Sequence, residues 1–158
     1  MNLRENLPFR KNTEGYFTDN CGNMLARDTK KGYIVFPGGG VNNNEDINQG
    51  IIRETLEETG AIITNLKFVH KMKFIWNKNW AKTEKQKQRY EMYQGEEMHF
   101  FTGKIQEFKE VKKEDDFWDG KKLMPIIKLI ELIESEKPFE KEMEEYRNFQ
   151  LKILKEKQ

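Results

Sequence analysis

The chain has little with which to build covalent cross-links or soft-metal sites, because its 158 residues include one cysteine, Cys21. An internal disulfide and a thiolate cluster are both excluded. Asn20 and Gly22 beside it read as a turn, with Cys21 a small buried or half-buried residue. Histidine is nearly as scarce. His99 alternates with Met98 and Phe100 and reads as a packed or hydrogen-bonded strand residue, while His70 sits in an apolar run with no metal-ligand spacing. Nowhere do eighteen apolar residues follow one another, and the first thirty carry charges at short intervals in place of an apolar signal segment. No membrane span is expected, and a cytoplasmic location is the default expectation. Neither sign of charge dominates. The 28 Lys and Arg nearly cancel the 27 Asp and Glu, leaving +1, so no extensive nucleic-acid surface is expected. The most basic stretch, Lys82 to Arg89, is interrupted by Glu84 and reads as a solvated loop or helix face that can still attract a polyphosphate.

What is present suits one domain over 1–158, with a polar surface reflected in a mean hydropathy of -0.92. Residues 1–14 are polar and broken by Pro8, as in a loose arm or an edge segment. Strands are expected at Tyr16 to Thr18, Asn23 to Ala26 and Tyr33 to Phe36, the last stopping at Pro37 before Gly38, Gly39 and Gly40. From Asp46 to Thr59 the period becomes helical, with Ile52, Thr55, Leu56 and Thr59 on one face and Gly60 as the stop. Ile62 to Phe74 reads as one or two strands around Asn65, and Met98 to Ile105 as another, with Glu96 and Glu97 at its entrance. Between them, Trp76 to Gln94 is long for a connection and interleaves Trp76, Trp80, Tyr90 and Tyr93 with lysines. Those aromatics read as core packing, as a lid helix or as a surface that stacks on a base. Beyond Trp118 and an Asp119–Gly120 turn, amphipathic helices are expected at Leu123 to Ile133 and Phe139 to Leu154, the second turning Tyr146, Phe149 and Ile153 inward.

Glu54, Glu57 and Glu58 fall together on the other face of the 46–59 helix. Three carboxylates so placed repel one another unless a cation compensates them, so the face is either simply solvated or a site for a hard, oxygen-seeking metal. The glycine-rich turn immediately before the helix favours the second reading, because it lets backbone groups approach both metal and phosphate.

Gly39, Glu45 after five intervening residues and, after seven more, Arg53-Glu54-Thr55-Leu56-Glu57-Glu58-Thr59-Gly60-Ala61 together closely resemble the box of the Nudix hydrolases. Thr55 stands where that pattern has an aliphatic residue, and Ala61 is a weak one. The resemblance implies an α/β fold, the Nudix-like α/β/α sandwich with a mixed β-sheet. It also implies that Glu54, Glu57 and Glu58 bind magnesium, with manganese as a substitute and the Gly38 carbonyl as a further ligand. Arg53 would then orient the acidic side chains and Glu45 would brace the loop. For a separate general base, Glu97 is the first candidate, with Glu107 and Glu110 as rivals. Lys71, Lys73 and Arg27 are candidates to meet phosphate.

The implied reaction is magnesium-dependent hydrolysis of a phosphoanhydride bond in a nucleoside diphosphate derivative, a small-molecule nucleotide. No proline lies between Gly60 and Lys122, unlike the ADP-ribose branch, and Tyr90 and Tyr93 lie too far beyond the box for the diadenosine tetraphosphate branch. A nucleoside triphosphate is therefore favoured over a nucleotide sugar or a 5′-triphosphate RNA end. A non-catalytic nucleotide-binding module is the alternative from a different class.

Overall fold

The computed structural model describes residues 3–30, 33–110, 118 and 123–158. Its first long strand, β1 (Phe9–Thr18), organises everything else, because successive side chains point to opposite faces of a sheet. Tyr16 therefore enters one apolar cluster and Phe17 another, and both are fully buried. Short strands follow: β2 (Asn23–Leu25), β3 (Arg27–Asp28), β4 (Ile34–Val35) and β5 (Gly38–Gly40). Helix α1 (Ile47–Thr59) leads into β6 (Ala61–Ile75), helix α2 (Glu84–Met92) and β7 (Gly95–Phe108). The chain closes with β8 (Leu123–Pro125), α3 (Ile126–Glu134) and α4 (Glu144–Lys157).

Among the described residues, β6-β7-β1-β2-β8 form one sheet in that order, with β5 also paired to β1. The sheet is mixed, since β1 and β7 run parallel while the remaining pairs are antiparallel. Phe17, Phe101 and Leu25 pack with Ile51 of α1 on one face. Tyr16, Phe100 and Met24 pack with Leu129 of α3 and Leu151 and Leu154 of α4 on the other. The architecture is thus the expected α/β/α sandwich. Each fully buried large apolar side chain contributes roughly 1.5–3 kcal/mol to its stability.

Several local expectations need correction. Residues 1–14 are no loose arm over the described part: Leu3–Asn6 is a 3-10 turn, and from Phe9 the chain runs in β1 between two neighbours. Cys21 is exposed. The core face of α1 carries Gly50, Ile51, Thr55 and Thr59, while Ile52 and Leu56 are 42% and 39% exposed. The segment after α1 is one strand that absorbs extra residues as bulges, and Asn65 takes a left-handed φ of 56° there. Leu123 to Pro125 pairs with β2, so α3 starts only at Ile126. The second expected helix begins as a 3-10 turn at Lys141–Met143, and Tyr146, Phe149 and Ile153 do pack inward. The Asp119–Gly120 turn lies outside the described residues.

The α4 face contains a charge that the sequence hides. Glu14 of β1 is 8% exposed and accepts hydrogen bonds from the hydroxyls of Tyr16 and Tyr146. Burial is the largest influence and pushes its carboxyl up, against the pull of those hydroxyls, Gln150 and Arg147. A carboxyl that holds its proton more tightly folded than unfolded weakens the fold as pH rises from the ordinary value of 4.5 through the raised one. Glu14→Gln is expected to flatten that decline and to raise the melting temperature near neutral pH. Thermal melts across the mildly acidic range check this, and parallel curves for the two proteins would refute it.

Candidate active site

Helix α1 starts and stops where its sequence dictates. Asp46 accepts from the Gln49 amide at 2.8 Å while the Gln49 side chain accepts from the Asp46 amide, a reciprocal cap. Gly60, in the left-handed conformation at φ 78°, ends the helix and donates to the Leu56 carbonyl. Between these caps Arg53, Glu54, Glu57 and Glu58 are presented toward β5.

One guanidinium organises the result. Arg53 holds Glu45 through two bonds, Nε to Oε2 at 2.7 Å and Nη2 to Oε1 at 3.1 Å. Its Nη1 donates to Glu54 and to Glu57, each at 3.1 Å, and Nη2 also donates to the Gly40 carbonyl at 3.0 Å. The hydrogen bonds from Arg53 hold the Glu45 carboxyl below its ordinary value. Glu54 moves the other way, because its burial outweighs the Arg53 charge and pushes the carboxyl up. Glu58 accepts from the Gly38 amide at 2.9 Å.

The three glycines of β5 fit this crowding. Gly38, at φ 152°, would put a Cβ 2.0 Å from the Thr13 carbonyl. A Cβ on Gly39 would fall 2.6 Å from the Glu54 carboxyl carbon, and one on Gly40 would fall 2.0 Å from Nη2 of Arg10. Thr13 fixes the strand from the other side by donating its hydroxyl to the Gly39 carbonyl at 2.9 Å. Among the described residues, no three His, Cys, Asp or Glu side chains converge as a metal cage. The carboxylate tips lean instead on Arg53 and on the Gly38 amide. The donors are all oxygens, and Glu54 sits half-buried over a backbone stripped of side chain, which fits a hard divalent cation.

The structure brings Glu45, Arg53, Glu54, Glu57, Glu58 and the Gly38 backbone together. Glu97 lies on the α1 face of the sheet but inside β7, paired with Lys11 on one side and Lys73 on the other, not at a strand entrance. Its Oε1 meets Nε2 of the buried His99 at 2.8 Å, so His99 is the packed, hydrogen-bonded strand residue expected. Burial is the main effect on that imidazole and lowers its pKa. Glu107 and Glu110 are exposed. His70 stacks on Phe149 at 4.7 Å between centroids. Lys71 and Lys73 share the face of Glu97, whereas Arg27 sits in the separate β3-β4 pair.

The Trp76 to Gln94 insertion contains helix α2, and three of its four aromatics are already engaged. Trp76 is 6% exposed and stacks on Trp80 with centroids 3.7 Å apart, and Arg4 covers the Tyr90 ring at 3.4 Å. The sequence alone does not single out Arg10, Asn12 and Thr13, and it offers Glu96 only as a charge at a strand entrance. Their signal emerges only after β1 is set beside both β5 and β7, where Arg10 and Asn12 both donate to Oε1 of Glu96.

Comparison with known proteins agrees with this geometry. The NUDIX domain matches residues 17–148, and the chain belongs to the Nudix family. A mutant of the Bacillus subtilis pyrophosphohydrolase BsRppH aligns at 19% identity and TM-score 0.51, covering 73% of this chain and 61% of that one. This chain thus spans less than two thirds of that relative's length. A NUDIX hydrolase from Nitrosomonas europaea aligns at 17% identity and TM-score 0.54, covering 77% of this chain and 75% of that one. A mutator MutT protein from Bacillus halodurans aligns at 22% identity and TM-score 0.52, covering 78% and 73%. At these identities the likeness is one of fold. No curated protein matches the sequence.

Two outcomes follow from the packing of α1. Thr55 is fully buried, and its hydroxyl has no hydrogen-bond partner among the described residues. Thr55→Val should therefore stabilise the fold by about 1 kcal/mol in chemical denaturation, and a loss of stability would contradict the orphaned hydroxyl. Arg53→Gln removes the cation from between three carboxylates and should cost about 2 kcal/mol, with Arg53→Lys intermediate because an ammonium lacks the planar fork. Unchanged denaturation midpoints would show that the network does not brace the loop.

Proposed function

We propose that the chain is a magnesium-dependent Nudix hydrolase that cleaves a phosphoanhydride bond in a small nucleotide, with a nucleoside triphosphate as substrate. The observation that carries this reading is the tie between α1 and β5. Arg53 joins Glu45, Glu54, Glu57 and the Gly40 carbonyl, while Glu58 holds the Gly38 amide. Glu54, Glu57 and Glu58 would hold the metal with the Gly38 carbonyl, and manganese would take its place. Magnesium, when bound, supplies positive charge to phosphate oxygens and acidifies the attacking water.

The rest of the work falls to the chain's own groups. Arg53 fixes the carboxylates in register before substrate arrives, so little reorganisation remains at the moment of attack. Its Gly40 bond also holds the loop against which the diphosphate lies. Glu97 accepts the proton that water loses, its carboxylate oriented by His99 on the same face of the sheet as α1. Water oxygen bonds to phosphorus, the bridging P–O bond breaks, and a nucleoside triphosphate yields the monophosphate and pyrophosphate.

The test is a panel of nucleoside triphosphates, nucleotide sugars and 5′-triphosphate RNA incubated with magnesium in oxygen-18 water, with products resolved by mass. Turnover of a triphosphate to monophosphate and pyrophosphate is expected. Preference for a sugar conjugate or an RNA end would replace the substrate, and tight binding without products would replace the enzyme by a binding module. Glu57→Gln and Glu58→Gln should lower turnover at limiting magnesium by about a hundredfold or more with the fold intact. Glu97→Gln should lower kcat more than it raises KM. A near-normal kcat in Glu97→Gln, with a large loss in Glu107→Gln or Glu110→Gln, would transfer the role.

A further inference from the structure

Where the chain leaves α3 and returns through the 3-10 turn at Lys141–Met143 to α4, it walls a cavity of about 410 Å³. Glu136, Pro138, Phe139, Glu140, Met143 and Arg147 line it. Small-molecule sites run from roughly 300 to 1,000 Å³, so the space suits a small ligand. Pro138, Phe139 and Met143 supply an apolar wall, and the charged residues supply the rest. Helices α3 and α4 cover the sheet face opposite α1, so none of these residues belongs to the site around Arg53.

Two of those charges are incompletely satisfied. Arg147 is 8% exposed, and a cation buried so deeply ordinarily commits its donors to the protein. Its Nη1 does donate to Oε1 of Gln150 at 2.7 Å. Its Nε lies 2.9 Å from Oε2 of Glu136 without the alignment of a hydrogen bond, and its Nη2 has no partner among the described residues. The guanidinium therefore keeps N–H donors for a carboxylate. Glu140 makes no side-chain hydrogen bond to the 3-10 turn that it opens, and Lys137 is tied to Glu134 at 2.7 Å instead. A simple anion entering the cavity would be repelled by Glu140, and a simple cation by Arg147. A molecule that carries both charges on a short apolar body satisfies each of them.

We propose that this cavity binds a free α-amino acid with an apolar side chain. Its carboxylate accepts from Nη2 of Arg147, its ammonium donates to Glu140, and its side chain lies against Phe139 and Met143. A peptide terminus offers only one of the two charges, which separates it from the free amino acid. The site needs neither metal nor nucleotide, so it stands apart from the hydrolase reading. Because the ligand joins α4 to the connection from α3, it binds only the folded chain and stabilises it.

Calorimetric titration of the full chain with L-leucine, N-acetyl-L-leucine and L-leucinamide tests the assignment. L-leucine should bind with a dissociation constant of about 1 mM or tighter and raise the melting temperature. N-acetyl-L-leucine lacks the ammonium and L-leucinamide lacks the carboxylate, and each should bind about tenfold more weakly. Glu140→Gln should weaken L-leucine by a similar factor and leave N-acetyl-L-leucine unaffected. Arg147→Lys should weaken L-leucine and spare L-leucinamide. Should Arg147→Lys lose its fold by stranding Glu136 and Gln150, the exposed Glu140→Gln and the three ligands carry the test. Absence of L-leucine binding at concentrations about tenfold above 1 mM would overturn the site. So would equal affinity for L-leucine and either derivative, or an undiminished affinity for L-leucine in Glu140→Gln.

Discussion

The position of Arg53 between Glu45, Glu54 and Glu57 is the constraint on which the site depends. Carboxylates at this density on one helical turn would repel one another, and burial already disfavours the charged form of Glu54. A lysine placed there would supply the charge without the geometry. The planar fork allows two parallel bonds to Glu45 while a third nitrogen reaches Glu54 and Glu57, so one side chain sets the loop, the helix and their spacing. The glycines follow from the same requirement. With Glu54 pressed onto Gly39, a side chain there would push a carboxylate out of the network, and one at Gly40 would displace the Arg10 guanidinium on the other face.

The N-terminal segment acts at a distance from this centre. Arg4 donates to the Tyr90 and Tyr93 carbonyls and lies over the Tyr90 ring, while the Gln94 side chain reaches the Glu5 and Leu7 carbonyls. The insertion is thereby fastened at the exit of α2, close to where β7 begins. A polar, proline-broken stretch looks like a dispensable arm when read alone. Its importance lies in contacts with residues more than eighty positions away.

How much was legible follows from the range of the interactions. The boundaries of α1, its acidic face and its partnership with the glycine turn depend on neighbours three or four residues apart, and all were readable. The buried face of the same helix was not. Ile52 and Leu56 are more hydrophobic than Thr55, yet the sheet lies along the Gly50, Ile51, Thr55 and Thr59 side. Small residues let α1 approach β1 and β5 closely, so contact distance overrode hydrophobicity. Thr59 partly compensates by donating to the Thr55 carbonyl and accepting from the Ala61 amide, which carries the helix end directly into β6. Glu97 shows the same limit. Its pairing with His99 is implied by strand alternation, but its half-buried place between β1 and β6 required the sheet order.

That sheet order also explains why the polar groups of β1 have separate fates. Glu14 is sealed beneath Tyr16 and Tyr146, where α4 crosses the sheet, and aromatic packing of Phe100 and Phe149 continues from there. Two and four residues earlier on the same face, Asn12 and Arg10 lie beyond this cover and meet Glu96 instead. Helix α4 thus consumes one end of the face for stability and leaves the other end, beside β5, to polar chemistry. Because Thr13 lies between Asn12 and Glu14 and points to the opposite face, where it holds Gly39, the same short stretch of β1 supports both sides of the glycine strand.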